Sequence, residues 1–285
     1  MKPIITESPR DAIQGLHYYI PTQTKVDYIN QLLKVGFDII DIGSFVSEKT
    51  IPQLKDTADV LKKIDISNTK SKIMVLVANT IGIETAMNFE EISILAFPFS
   101  ISPTFSKLNI NADLQKAFQL VEFSERNCDI YKKTLKVYIP MAFGNPYEDE
   151  YNIDILFKSV VKLHAIGIKY ITLSDVIGVA NSTQISKIYS QLISDFPDIE
   201  FGIHLHTTPN SSYEKLDAAY LSGCRSFDAV INGMGGCPMT GYELLSNLNT
   251  YDLFEYFKIN NIETKINIFS LNDILKKNKE LFTNF

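Results

Sequence analysis

The chain has 285 residues, 45% of them hydrophobic and 21% charged, a profile that argues against a disordered or fibrous protein and gives enough material for a full apolar core. Lysines and arginines number 27 against 33 aspartates and glutamates, a net charge of −6, and no dense basic block marks nucleic acid as the main partner. Three cysteines, Cys128, Cys224 and Cys237, are odd in number and unclustered, which argues against a disulfide framework and for a reducing compartment.

In chain order, β-rich runs are expected at Pro3–Glu7, Ile39–Ile42, Ile73–Val77, Glu91–Phe97, Thr134–Pro140, Tyr170–Ser174, Glu200–His206 and Ser226–Ile231. Amphipathic helical stretches alternate with them, near Thr22–Val35, Ile51–Ile64, Ile81–Asn88, Leu114–Tyr131, Ile153–Ile166, Thr183–Phe196 and Ser212–Leu221, with a further one at Asn249–Lys258 and a tail of helix plus loop from Asn260. This alternation predicts βαβ units and a parallel sheet, and eight units in this length fit a closed (β/α)8 TIM barrel, an α/β fold of one domain over residues 1–285 with a C-terminal helical extension. The alternative is a doubly wound open sheet; no Gly-x-Gly-x-x-Gly follows the first strand to favour it. The strongly apolar stretch Ile92–Phe99 is interrupted by Ser93 and Pro98 and is far short of the roughly 20 residues of a membrane-spanning helix. No secretory signal pattern opens the chain, so a soluble cytoplasmic protein without a membrane partner is expected.

Polar residues gather where strands end: Arg10 and Asp11 after the first, Asp41 and Ser44 on the second, Asp175 after the sixth, His204 and His206 on the seventh. In a barrel of this kind those ends form the face that carries active sites, so the clustering predicts an enzyme. His204-Leu205-His206 is the sharpest signal. Side chains alternate across a strand, so Gly202, His204 and His206 face one side, and Phe201, Ile203 and Leu205 the other. Two imidazoles aimed at one point suit a divalent cation; a pair of buried histidines bonded to backbone carbonyls is the plainer alternative. Arg10-Asp11 is either a surface ion pair or a metal ligand beside an oxyanion-stabilising cation. Gly233-Met234-Gly235-Gly236-Cys237-Pro238 is either a turn that happens to hold a thiol or a loop carrying an acid/base thiol over a ligand.

These pieces, in this order, resemble the 3-hydroxy-3-methylglutaryl-CoA (HMG-CoA) lyases, metal-dependent (β/α)8 barrels that break carbon–carbon bonds by Claisen chemistry. The resemblance runs over nearly the whole chain. It is carried by SPRDAIQ at 8–14, GSFVSEKTIPQLKDTADVL at 43–61, KLNIN at 107–111, GNPYE at 144–148, LSDVIGVA at 173–180, HLHTTP at 204–209, GMGGCPMTG at 233–241 and SNLNTYDL at 246–253. It implies that Asp11, His204, His206 and Asn247 ligate a divalent cation, Mg2+ or Mn2+. It implies that Arg10 contacts the thioester oxygen, that Cys237 is a mobile acid/base, that Asp41 stands where the family usually has a glutamate, that Gln14 and Ser44 line the pocket, and that Asp175 supports the substrate site. An acyl-CoA substrate and a homodimer are implied as well. The sequence leaves four candidates for the base that takes the substrate's hydroxyl proton: Asp11, Asp41, His204 and Cys237. The chain departs from the common pattern at Ala12-Ile13 for Gly-Leu, Thr207 for Asp and Asn145 for Cys, and it is one residue longer between Cys237 and Asn247. Two other functions share parts of the pattern: a Claisen condensing enzyme of the isopropylmalate or homocitrate synthase kind, and a non-catalytic metal-binding barrel.

Overall fold

Eight parallel strands close on themselves in chain order in the computed structural model, which describes residues 2–208, 210–236 and 245–277. They are β1 (Ile4–Glu7), β2 (Ile39–Ser44), β3 (Lys72–Leu76), β4 (Ile92–Pro98), β5 (Thr134–Pro140), β6 (Tyr170–Asp175), β7 (Glu200–Leu205) and β8 (Ser226–Ala229). Each pairs with its sequence neighbours, and β8 returns to β1 with Ile4 opposite Ser226. Runs such as ISILAFP in β4 are apolar on both faces because both faces are covered, by helices outside and by the barrel interior within.

The helices are α1 (Pro9–Gln14), α2 (Thr22–Leu32), α3 (Thr57–Leu61), α4 (Thr80–Met87), α5 (Pro103–Ile110), α6 (Leu114–Tyr131), α7 (Ile153–Ala165), α8 (Ser182–Asp195), α9 (Ser212–Leu221), α10 (Thr250–Ile259) and α11 (Ile268–Lys277). Several of their starts are capped by a side chain. Asn79, Ser102, Asp113, Asn152 and Asn181 each accept a backbone N–H three residues on, a contact worth about 1 kcal/mol per helix. The pairing of β8 with β1 rules out the open-sheet alternative. Two helices, α1 and α5, fall outside the predicted stretches, and the predicted helix Ile51–Ile64 divides into a 3-10 turn at Pro52–Leu54 and α3. Pro52 opens the 3-10 turn, where its missing N–H costs nothing, and α3 starts afresh after Asp56, whose backbone is non-helical (φ −97°, ψ 15°). No helix among the described residues is long and apolar enough to cross a membrane.

The large core lies between strands and helices and takes in Phe201, Ile203 and Leu205, the outward set of β7. Inside the barrel, Ile39, Met74, Ile94 and Ala96 make a smaller apolar plug. Polar side chains share that interior. Lys136 of β5, buried, donates from Nζ to Asp228 Oδ1 of β8 at 3.0 Å and to Thr6 Oγ1 of β1 at 3.4 Å. At the end of β1, Glu7 accepts from the Ile231 amide at 2.8 Å and from Thr250 Oγ1 at 2.5 Å, which ties β1 to the segment after β8 and to the start of α10.

Candidate active site

After β1 the chain coils at once, with Pro9 at the first helical position, where its missing N–H costs nothing. That turn of α1 brings residues three and four apart together. Arg10 Nη1 donates to Gln14 Oε1 at 2.9 Å and to Asp11 Oδ1 at 3.1 Å, and Gln14 Nε2 donates to the same Asp11 oxygen. The other edge of the guanidinium is held from β2: Nε and Nη2 reach Asp41 Oδ2 at 2.8 and 2.7 Å. The register of β2 against β3 shifts between Asp41 and Gly43, an irregularity of the kind that re-aims side chains beside active sites.

Across the barrel mouth, His204 Nε2 lies 3.6 Å from Asp11 Oδ2, and His204 Nδ1 lies 3.6 Å from Asp228 Oδ2. Gly202, below it on the same face, leaves room: a Cβ there would stand 2.7 Å from Thr172 Oγ1. His206 follows the end of β7 and is joined to Asn247 by an isolated antiparallel bridge; its ring centre is 5.4 Å from that of His204. His206 Nδ1 is 2.9 Å from the Leu245 carbonyl, which can only accept. Nδ1 therefore carries the proton and Nε2 presents a free lone pair. The plainer reading of the histidines thus holds for one nitrogen of one ring, and that contact is what frees the other. Asn247 Nδ2 donates to the Met234 carbonyl at 2.7 Å, while Asn247 Oδ1 is buried and has no partner among the described residues. Gly235 (φ +85°) brings its own segment onto α1, where a Cβ would stand 2.5 Å from the Asp11 carbonyl.

Burial and charge oppose one another here. Burial pulls the Arg10 pKa down, but Asp41 and Asp11 more than reverse this, and the guanidinium stays charged. Burial raises Asp41 to about 6 despite Arg10. Burial also pushes Asp11 upward, but Arg10 and the two histidines outweigh it and hold the carboxylate ionised. Desolvation, then His204, lowers His206 and keeps it neutral. His204 moves the other way, its desolvation outweighed by Asp228 and Asp11.

The donor chemistry fits a divalent cation. Among the described residues His206 Nε2 and Asn247 Oδ1 have no partner, and Asp11 is ionised beside His204. Among the described residues no group of three or more His, Cys, Asp or Glu side chains already stands in a metal-holding arrangement. Asp11 spends Oδ1 on Arg10 and Gln14, and the fourth donor is an amide.

Arg10, Asp11, Gln14, His204 and His206 all line one cavity of about 140 Å3, with Tyr138, Phe105 and Val176 on its walls. Asp41 stands behind Arg10. Ser44 spends its hydroxyl on the Leu76 carbonyl (3.3 Å) and the Val46 amide (3.0 Å). Asp175 is turned away from the cavity onto Lys215 Nζ at 3.0 Å. Cys237 lies outside the described residues. Sequence reading missed Lys136, Asp228 and Lys215. The first two had a signal, since a charge inside an apolar strand run such as LKVYI needs a buried partner.

A closed (β/α)8 barrel with an arginine, carboxylates and two histidines at the C-terminal mouth of its strands has the build of a barrel enzyme. Residues 3–277 match the HMGL-like family model, and the chain belongs to that family. It is 32% identical over 230 residues to hydroxymethylglutaryl-CoA lyase YngG of Bacillus subtilis, covering 81% of this chain and 76% of that protein. It is 27% identical over 271 residues to human cytoplasmic 3-hydroxy-3-methylglutaryl-CoA lyase, covering 94% of this chain and 72% of that one. The solved structure of the Bacillus subtilis HMG-CoA lyase superposes with a TM-score of 0.92 at 30% identity, over 99% of this chain and 94% of that one. An Acinetobacter baumannii HMG-CoA lyase in complex with coenzyme A and 3-methylmalate gives 0.91 at 29% identity, over 99% and 92%.

Proposed function

We propose that this chain is a lyase that cleaves 3-hydroxy-3-methylglutaryl-CoA to acetoacetate and acetyl-CoA. The observation that carries the reading is Arg10, the one permanent cation among the described lining residues, fixed by Asp41 and Asp11 at the cavity wall. As the carbon–carbon bond breaks, negative charge collects on the thioester oxygen of the departing acetyl-CoA enolate. A guanidinium already oriented and always charged stabilises that oxygen without reorganising. Asp41, whose Oδ1 has no partner among the described residues and whose pKa of about 6 lets it accept and release a proton near neutrality, takes the proton of the substrate's tertiary hydroxyl by way of one water, because it is buried behind Arg10 and does not itself line the cavity. The enolate carbon takes its proton from the Cys237 thiol. Asp11, His204, His206 and Asn247 would hold Mg2+ or Mn2+, which when bound supplies Lewis acidity to the substrate's oxygens.

The apolar wall of Tyr138, Phe105 and Val176 keeps water from the enolate, which raises the weight of each charge in the cavity. The test is an assay with divalent metal and 3-hydroxy-3-methylglutaryl-CoA that follows acetoacetate. Metal-dependent acetoacetate release is expected. Its absence, with condensation of acetyl-CoA onto a 2-oxo acid instead, would move the chain to the condensing enzymes.

A further inference from the structure

Behind His206 lies a buried charge pair that the chemistry above leaves unused. Lys215, on α9, points inward. Its Nζ donates to Asp175 Oδ2 at 3.0 Å and to the Gly178 carbonyl at 3.0 Å, and stands 3.5 Å from the His206 carbonyl. Both side chains are almost wholly buried, at 4% and 0% exposure. Asp175 Oδ2 also accepts the Ala180 amide at 3.1 Å, and the Asp175 carbonyl accepts the His206 amide at 3.2 Å. One ammonium thus sits where three segments meet: the end of β6, the turn over residues 175–180, and the stretch that carries His206.

A lysine on an outer helix ordinarily keeps its ammonium in water. Burying it with a carboxylate is a poor route to stability, because well-packed apolar side chains fill such space as well or better. What the pair adds is direction, since several fixed acceptors surround one cation. His206 needs direction, because β7 ends at Leu205 and leaves it outside the strand ladder. On one side it is held by the bridge to Asn247 and by the Thr207 amide, which donates to the Ser246 carbonyl at 2.9 Å. On the other side Asp175 takes its amide and Lys215 faces its carbonyl.

We propose that Lys215 is a positioning residue for His206: through Asp175 and the His206 carbonyl it fixes where the ring presents Nε2, so the cation affinity of the site depends on a lysine that touches neither cation nor substrate. The proposal rests on the site reading above only in placing His206 among the cation's ligands. It does not require that the substrate be 3-hydroxy-3-methylglutaryl-CoA.

The test titrates Mn2+ alone, by calorimetry, into the metal-free parent and into the double variant Lys215→Gln/Asp175→Asn, a neutral pair that leaves no lone charge buried. Near-ultraviolet circular dichroism reports whether each is folded. The folded double variant is expected to bind Mn2+ at least fivefold more weakly than the parent and to lose kcat with little change in KM. Lys215→Arg, which keeps the charge, should regain part of the affinity. A folded double variant that loses less than fivefold overturns the proposal. Should the double variant not fold, Lys215→Gln alone is held to the same threshold. A parent that releases no acetoacetate but whose Mn2+ affinity depends on Lys215 rejects the lyase reading and leaves this one standing. A parent that binds no Mn2+ overturns this one whatever it cleaves.

Discussion

Arg10 and Asp41 meet through a single carboxylate oxygen: Nε and Nη2 both donate to Oδ2, at 2.8 and 2.7 Å, while Oδ1 has no partner among the described residues. One edge of the guanidinium is thereby pinned to β2 and the opposite nitrogen to α1. A lysine has one ammonium and cannot serve both. Arg10→Lys is therefore expected to lower kcat by about 10²–10³-fold, the loss typical of one oxyanion donor. Steady-state acetoacetate release measures it, and a loss below about fivefold would take Arg10 away from the developing charge.

Asp41 carries a pH consequence. Its pKa is raised from 3.8 to about 6, chiefly by burial, so the ionised form that accepts a proton prevails above about pH 6. The proposed role then predicts a kcat profile that falls as pH drops through about 6, and Asp41→Asn should abolish that limb along with most turnover. An acid limb unchanged in Asp41→Asn would assign the titration to another group.

Asp228 and Lys136 form another buried pair, with Nζ 3.0 Å from Oδ1 inside the barrel. Asp228→Ala leaves the ammonium with the Thr6 hydroxyl and the face of the Tyr138 ring but no carboxylate, and a buried charge stripped of its partner costs about 3–5 kcal/mol. Urea unfolding should show that loss in the midpoint. His204, which faces Asp228 through Nδ1, should also lose orientation, so Mn2+ affinity is expected to fall with stability. A variant as stable as the parent would mean that water reaches Lys136.

The barrel was legible because eight β-branched runs alternate with amphipathic helices, and because strand periodicity of two places Gly202, His204 and His206 on one face. What the sequence hid were features that local pattern does not encode. The coil of α1 directly after β1 reads as a loop with an Arg-Asp dipeptide until the barrel supplies its partner Asp41, 31 positions away in the chain. The same holds for Lys215. On α9 it has the look of a solvated lysine, and only the fold brings it to Asp175, 40 positions back. Ser44 and Asp175 were expected at the substrate; in the structure the Ser44 hydroxyl meets backbone groups and Asp175 Oδ2 meets Lys215, contacts that local pattern does not reveal.

Glu7 gives a stability prediction independent of catalysis. Burial raises its pKa from 4.5 to about 8, against the bonds from Thr250 and Ile231 that favour the ionised form. The folded chain therefore holds a proton that the unfolded chain releases between those values. Its contribution is present in full below about pH 4.5 and is lost as pH rises through about 8, at most on the order of 5 kcal/mol across the window. Glu7→Gln can keep both contacts, accepting from Ile231 and donating to the Thr250 hydroxyl, without a titrating group. Its melting temperature should fall less steeply than the parent's between pH 5 and 8. Parallel curves for the two proteins would show that Glu7 ionises freely.

Cys237 lies outside the described residues, but its two fellow cysteines are fixed well enough to make a chemical test decisive. Cys128 and Cys224 are buried, at 1% and 0% exposure, and burial pushes both thiols up to about 12. Neither supplies thiolate near neutral pH. Alkylation under native conditions should therefore label Cys237 first, and saturating acyl-CoA should protect it if the thiol works at the enolate. Cys237→Ser replaces that thiol with a hydroxyl of far higher pKa, so the expected effect falls on proton transfer: kcat down by about 10²–10⁴-fold, with KM nearly unchanged. Mn2+ affinity should stay at the parent's value, because the thiol is not among the proposed ligands. Near-normal turnover in Cys237→Ser would assign the proton on the enolate carbon to another donor, and a loss confined to KM would make the thiol a binding contact.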